Sequence, residues 1–324
     1  MQVLEDIYPS RVYDKPRITL RRDPVVWAES SRGTTGPLSN QQISDFVESG
    51  YLFIPDLFNA AEVKKLLDEI TCLGTDPEIQ QSPACIYEPS RGIVRSLFNI
   101  HTVSDLFAHL VADRRISTAA MQILSSGVYI HQSRVNLKPG FHGEQFYWHS
   151  DFETWHVEDG MPRMRAVSCS ILLTDNNPFN GPLMIVPGSH TKFVSCVGKT
   201  PEDHYKQSLR KQEYGVPDTD SLTQLVKDGQ IVAPVGKAGS VLFFDCNVMH
   251  GPLVTSAHGH AATCSVCITA WKTRWLNRMV VPSRGPNLLR HDALSPSYPW
   301  IVFIPDVIAG RNGKELKYDA TSKT

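Results

Sequence analysis

A mainly β fold with flanking helices, closed as a double-stranded β-helix (a jelly roll of the cupin kind), is what this sequence predicts, on three observations. The first part of the chain carries helix signatures; from Val128 onward it breaks into short apolar runs; and the stretches between those runs are long and rich in turn residues. The 324 residues are 41% hydrophobic, enough to bury one sizeable core. The expected organisation is an N-terminal arm over 1–40, then a single jelly-roll domain over 41–324 with a helical N-terminal part, its stretch 252–324 set apart by a change of texture.

Taken in order, residues 1–40 are punctuated by proline and contain SSRGTTGPLS, which predicts an irregular arm wrapping the domain. Ser39 or Asn40 can cap a helix through QQISDFVESG. Asn59 can cap AAEVKKLLDEITCLG, in which Val63, Leu66, Leu67 and Ile70 keep helical spacing and Gly74 marks the stop. The runs VYIHQSRVNLK, RAVSCSILLTD, LMIVPGS and SVLFFDCNVMH then read as strands, separated by turn signals such as NNPFNGP and GKAGS.

Charge and cysteine usage narrow the function. Lys plus Arg is 32 against 33 Asp plus Glu, so no overall field favours nucleic acid or an anionic membrane, and a small molecule is the expected partner. The first residues carry Glu5 and Asp6 where a secretion signal needs basic and then apolar ones, and no apolar run of about 18 follows; the expectation is a soluble, cytoplasmic protein. Seven cysteines scattered through a long chain are not a disulfide framework. Cys264 and Cys267 form a lone C-x-x-C without the second pair a zinc site needs, so they are expected to be small buried hydrophobes.

One constellation carries chemistry. Two imidazoles and one carboxylate bind Fe(II) on one face and leave positions open for oxygen chemistry. In His149-Ser150-Asp151 the i, i+2 spacing puts both side chains on one face of an extended segment. His250, at the end of SVLFFDCNVM and before Gly251, is the candidate third ligand. His-x-Asp by itself is a weak signal, equally at home in a surface loop.

The text around it is specific. VYIHQSRVNLKPGF, FYWHSDFETWHVEDGMP, GPLMIVPGSH, RKQEYGVP and FFDCNVMHG resemble the phytanoyl-CoA dioxygenase superfamily, and within it the ectoine hydroxylases, from about residue 8 to residue 251. The resemblance implies that His149, Asp151 and His250 hold Fe(II), that Lys138 meets the carboxylate of the cosubstrate 2-oxoglutarate, and that Gln132, Thr154 and Trp155 hold ectoine. An ammonium suits a dianion entering a cavity of low dielectric, and an amide, a hydroxyl and an aromatic face suit a compact zwitterion. Glu153 and His156 flank the site, with roles in orienting the ligands or at the surface both open. The implied reaction consumes O2, decarboxylates 2-oxoglutarate to succinate and hydroxylates ectoine to 5-hydroxyectoine, a compatible solute of osmotic stress. Related halogenases lack the carboxylate ligand, so Asp151 implies hydroxylation. A homodimer is left open.

After Gly251 the resemblance fails. The family places an arginine that clamps 2-oxoglutarate where this chain has Ala261, and residues 251–291 contain no Asp or Glu although Trp271 and Trp275 enter in quick succession. A reading-frame slip near Gly251 accounts for this. Re-read one base upstream, His260 as CAC followed by the GC of Ala261 gives CGC, an arginine, and Cys267 to Trp275 can give V-Y-N-S-V-E-N-T-L, which resembles the family's next strand. The slip predicts loss of the last strands, an unpaired sheet edge, and weak cosubstrate binding. Against it stands a divergent C-terminal region in which Lys272, Arg274 or Arg278 holds the cosubstrate. Two further readings stay open: a catalytically impaired jelly roll, favoured by Ala261, and a hydroxylase of another small zwitterion.

Overall fold

Helix α1 (Asn40–Ser49) begins with a capping box: the Ser39 hydroxyl accepts from the Gln42 amide, and the Gln42 side chain accepts from the Ser39 amide. It ends at Gly50, whose φ of 80° and missing Cβ let the His190 ring pack against the backbone. Helix α2 (Ala60–Thr75) uses the same device at Asn59 and Glu62 and buries Val63, Leu66, Ile70 and Leu73. The stop expected at Gly74 is corrected: α2 runs on to Thr75, because the chain turns at Asp76, whose carboxylate caps α3 (Pro77–Gln81). Short helices α4 (Ile100–Val103) and α5 (Asp105–Val111) lead to α6 (Arg114–Leu124), which is almost wholly buried.

The structure is a computed structural model, and it describes residues 6–27, 35–87, 94–138, 147–198, 215–227, 230–252 and 261–270. Its main sheet is antiparallel throughout, in the order β2 (Tyr51–Ile54), β9 (Val241–Asp245), β6 (Ala166–Leu172), β11 (Ala261–Ala270), β5 (Val128–Lys138), β4 (Val94–Phe98), β3 (Cys85–Tyr87). Facing it are shorter pieces: β7 (Leu183–Ile185) with β10 (His250–Pro252), bridged to His149, and β1 (Arg17–Leu20) with β8 (Lys192–Ser195). Helix α7 (Asp151–Glu158) follows the His149 bridge, and α8 (Thr219–Lys227) covers Val186, Val194 and Met249 with Leu225. This is the jelly roll the sequence predicts.

Alternation along each strand decides which face does what. Val135, Val167, Cys169, Ile171, Val241 and Phe243 point outward and, with Cys264, Val266 and Ile268, pack against Phe46, Leu66, Phe107, Ile116 and Ile123 of the helices. The intervening residues point into the roll.

Two expectations change. The arm is not irregular throughout, because β1 pairs with β8 from Arg17↔Ser195 to Leu20↔Lys192. The unpaired edge expected after Gly251 is absent among the described residues: β11 sits inside the sheet, hydrogen-bonded to β5 along its whole length and to β6 from Thr263 to Thr269. Its small and β-branched residues fit a pleated surface on both faces, whatever reading frame supplied them. Cys264 and Cys267 are both buried but in different clusters, Cys264 in the helix-side core and Cys267 with Phe152 and Trp155, so the C-x-x-C is no chelate. Cys72 alone among the cysteines is exposed. Arg274, Arg278 and Lys272 lie outside the described residues.

Candidate metal centre

Three segments converge at one end of the roll. His149 leaves an extended segment through a β-bridge to His250, with reciprocal backbone hydrogen bonds of 2.9 Å. Ser150 then caps α7, so Asp151 is that helix's first residue; the purely extended His-x-Asp of the sequence reading is corrected at its second ligand. The Phe152 amide donates to the Cys246 carbonyl at 2.8 Å, tying α7 to the turn between β9 and β10 that ends in His250.

The imidazoles are set as ligands. The Nδ1 of His149 lies 2.8 Å from the Tyr147 carbonyl and that of His250 3.0 Å from the Val248 carbonyl. A carbonyl only accepts, so each Nδ1 carries a proton, and Nε2 is the nitrogen each ring offers to a metal. Those Nε2 atoms lie 3.6 and 3.8 Å from Asp151 Oδ1, and one ligand atom from each of the three residues falls within 4.8 Å of the others. The other oxygen, Oδ2, accepts the Ser168 hydroxyl at 2.9 Å, which fixes the carboxylate plane. Burial, reinforced by the neighbouring His149, pushes His250 down from 6.5 to about 4, so it is a neutral donor at pH 7. Burial alone would raise Asp151, but His250, His149 and Arg134 together hold it well below the usual carboxylate range. Two imidazole nitrogens and one ionised oxygen, converging within 4.8 Å of one another, fit a divalent metal of the iron type.

Beyond the two histidines the inner face opens into a cavity whose opposite wall includes Arg134, Asn136, Ser170, Thr263 and Ser265. The wall is laid out in tiers by register. Cys267 pairs with Gln132 and Ser168, Ser265 with Arg134 and Ser170, Thr263 with Asn136 and Leu172, and Ala261 with Lys138. The position where the family's clamp is expected therefore lies across the ladder from Lys138. The Nε of Arg134 is buried without a protein partner.

Of the residues singled out from sequence, His149, Asp151 and His250 meet directly. Gln132 and Lys138 lie on β5 one tier, two residues, either side of the cavity-wall residues Arg134 and Asn136. Thr154 is half-buried on α7, and Trp155 is 3% exposed, packed with Phe152 and Cys267 and edge-on to His131 at 4.9 Å. The surface alternative for Glu153 and His156 fails, since both are buried. Sequence reasoning missed Arg134, Asn136 and Ser168. A period of two from Gln132 to Lys138 was the available signal for the first two; Ser168 needed the fold.

Comparison with known proteins agrees with this geometry. The phytanoyl-CoA dioxygenase (PhyH) family model matches residues 46–254. The chain is similar to the ectoine dioxygenase of Bordetella bronchiseptica, 56% identical over 247 residues, 76% of this chain and 80% of that one. It is similar to the ectoine dioxygenase of Halomonas elongata, 43% identical over 299 residues, 91% of this chain and 88% of that one. Among solved structures it resembles EctD from S. alaskensis with 2-oxoglutarate and 5-hydroxyectoine, at 43% identity and a TM-score of 0.74 over 84% of this chain and 89% of that one. The same protein with bound Fe gives 42% identity and a TM-score of 0.75, with 87% and 92% covered.

Proposed function

Because the chain belongs to the phytanoyl-CoA dioxygenase family, we propose that it is an iron(II)- and 2-oxoglutarate-dependent hydroxylase that converts ectoine to 5-hydroxyectoine, with release of succinate and carbon dioxide. The observation that carries the reading is the convergence of two histidine nitrogens and one ionised aspartate oxygen beside a cavity with Arg134, Asn136, Ser170, Thr263 and Ser265 on its wall.

Iron(II) held by His149, Asp151 and His250 would activate oxygen at the positions that two nitrogens and one oxygen leave open. The protein's own residues bind, orient and exclude water. Ser168 holds Asp151 Oδ2 so that Oδ1 faces the two Nε2 atoms. Arg134, with its unpartnered buried Nε, takes a carboxylate in the cavity, and Asn136, Ser170, Thr263 and Ser265 offer hydrogen bonds along it. Lys138 is assigned to 2-oxoglutarate, and Gln132, Thr154 and Trp155 to ectoine, on the resemblance already described.

Residues 41–324 are taken as one jelly-roll domain preceded by an arm over 1–40, acting in the cytoplasm; a homodimer is decided by gel filtration. No helix among the described residues is long and apolar enough to cross a membrane.

The test is to load the protein anaerobically with Fe(II), add 2-oxoglutarate and air, and follow succinate release with and without ectoine. Ectoine-dependent succinate matched by 5-hydroxyectoine, and lost in Asp151→Ala and His250→Ala, is the expected result. An iron-binding protein with no such turnover would be the impaired jelly roll that Ala261 favours. Turnover with another small zwitterion in place of ectoine would reassign the substrate.

A further inference from the structure

Asp151 and His250 stand on different segments, and residues 8–23 of the N-terminal arm grip both. Arg11 lies against α7: its Nη2 is 2.8 Å and its Nε 3.0 Å from the two oxygens of Glu153, and its Nη1 is 3.0 Å from Glu158. The Ser10 hydroxyl donates to Glu153 at 2.6 Å and accepts from the Cys196 amide at 2.9 Å. The Arg11 backbone has φ of 58°, a left-handed conformation that side chains other than glycine seldom adopt, and Gly215 leaves room for its guanidinium where a Cβ would collide. Such a conformation persists only where its surroundings over-determine it.

Ten residues on, Arg21 performs the same office for the other ligand. Its Nη1 is 2.7 Å from Asp245 Oδ1, and its remaining donors reach the carbonyls of Asp23, Pro24 and Met164. Asp245 Oδ1 also accepts the Asn247 amide at 2.8 Å, shaping the turn whose Val248 carbonyl holds His250 Nδ1. The Tyr8 ring packs on Phe152 at 5.3 Å, and its oxygen accepts the amides of Arg22 and Asp23. Both guanidinium–carboxylate pairs are almost fully buried, with side chains 2–4% exposed. Buried ion pairs are a poor way to gain stability, since apolar residues of equal volume do as well or better; their merit is fixed geometry.

We propose that residues 8–23 are a strap that sets the spacing of the metal ligands, with Arg11 positioning Asp151 through Glu153 and α7, and Arg21 positioning His250 through Asp245 and its turn. The inference rests on the metal-centre reading above, but not on the substrate. Groups hydrogen-bonded to a ligand tune the metal by orienting it, and their loss commonly weakens metal binding about 10- to 100-fold; the strap acts one contact further out, so the lower end of that range is expected.

The test compares Fe(II) affinity, measured by anaerobic titration, in Arg11→Met, Arg21→Met and a control, Leu66→Ala. Leu66 lies in the core on the other face of the main sheet, so its truncation lowers the unfolding midpoint without touching the strap. All measurements are made well below every midpoint. Expected is a fall of about 10-fold or more in iron affinity in the strap variants and none in the control. Where ectoine is hydroxylated, more succinate than 5-hydroxyectoine is also expected from the strap variants. Unchanged affinity in the strap variants, or an equal fall in Leu66→Ala, overturns the proposal. Should Arg11→Met not fold, Arg11→Lys, which keeps the charge but loses the two-pronged fork, decides by the same readout. Because iron affinity needs no substrate, a wrong assignment of ectoine leaves this test intact.

Discussion

Strands β5 and β11 lie side by side and share both faces of the sheet, yet they do different work. Toward the helices both are largely apolar, Ser133 apart: Val135 of one, and Cys264, Val266 and Ile268 of the other, are fully buried in the same core. Toward the cavity, β5 presents Gln132, Arg134 and Asn136, while β11 answers tier by tier with Cys267, Ser265 and Thr263. One strand brings long polar groups, and the other brings room. Making a strand takes only alternation and residues that suit a pleated surface, a condition loose enough for AATCSVCITA to meet. A binding site needs particular atoms, and these are concentrated before Gly251.

The sharpest way to break that comparison is Arg134→Met, which removes the cavity's half-buried cation with its buried Nε. Truncating one partner of a charged contact of this kind costs about 2–5 kcal/mol, so the concentration of 2-oxoglutarate or ectoine needed for half-maximal turnover should rise by about 30-fold or more. Steady-state titration of each shows which carboxylate the arginine serves. If neither rises, Arg134 does not supply the charge.

The next effect runs the other way. If β11 merely lacks what the family has there, Ala261→Arg, in the tier of Lys138, supplies a second cation for the cosubstrate. A hydrogen bond to a charged group contributes about 1.5–3 kcal/mol, so the half-saturating 2-oxoglutarate concentration should fall about 10- to 100-fold. Resequencing the gene across codons 240–290 tests the origin of the difference independently. A base lost or gained near codon 251, with His260 written CAC, would restore the arginine; an unbroken frame with full activity would leave another basic residue to hold the cosubstrate.

Outward-facing residues should behave alike in both strands. Val135→Ala and Val266→Ala each delete two methyl groups from a site with 0% exposure, and each should cost about 1–3 kcal/mol of unfolding free energy, read by denaturant titration, with turnover per folded molecule unchanged. A markedly smaller loss for Val266 would show that β11 is less firmly built into the sheet than β5.

Sequence reading succeeded where a local pattern forces a structure. The capping boxes at Ser39 and Asn59, the run 128–138, and the pairing of His149 with Asp151 are all of this kind. It failed where the deciding partner is distant. Gly74 looked like a helix stop until Asp76 took over the turn, and nothing local to Ser168 says that its hydroxyl will meet Asp151. Glu153 and His156 were ambiguous for the same reason. Their burial depends on an arm more than a hundred residues upstream, whose Arg11 and Asp6 lie against them. The break after Gly251 was legible as composition, but composition does not report whether a segment can pair, and β11 pairs on both sides.

The smallest effect separates room from recognition. Ser265 stands in the tier of Arg134, with its hydroxyl 3.5 Å from that of Ser170, too long for a strong hydrogen bond. If β11 contributes space alone, Ser265→Ala keeps the space and should alter stability and half-saturating concentrations by no more than about 0.5 kcal/mol, roughly twofold. Ser265→Leu at the same position should be much worse, because it fills the cavity beside Arg134. A large loss from alanine would mean that the hydroxyl itself meets a ligand, and that β11 takes part in recognition after all.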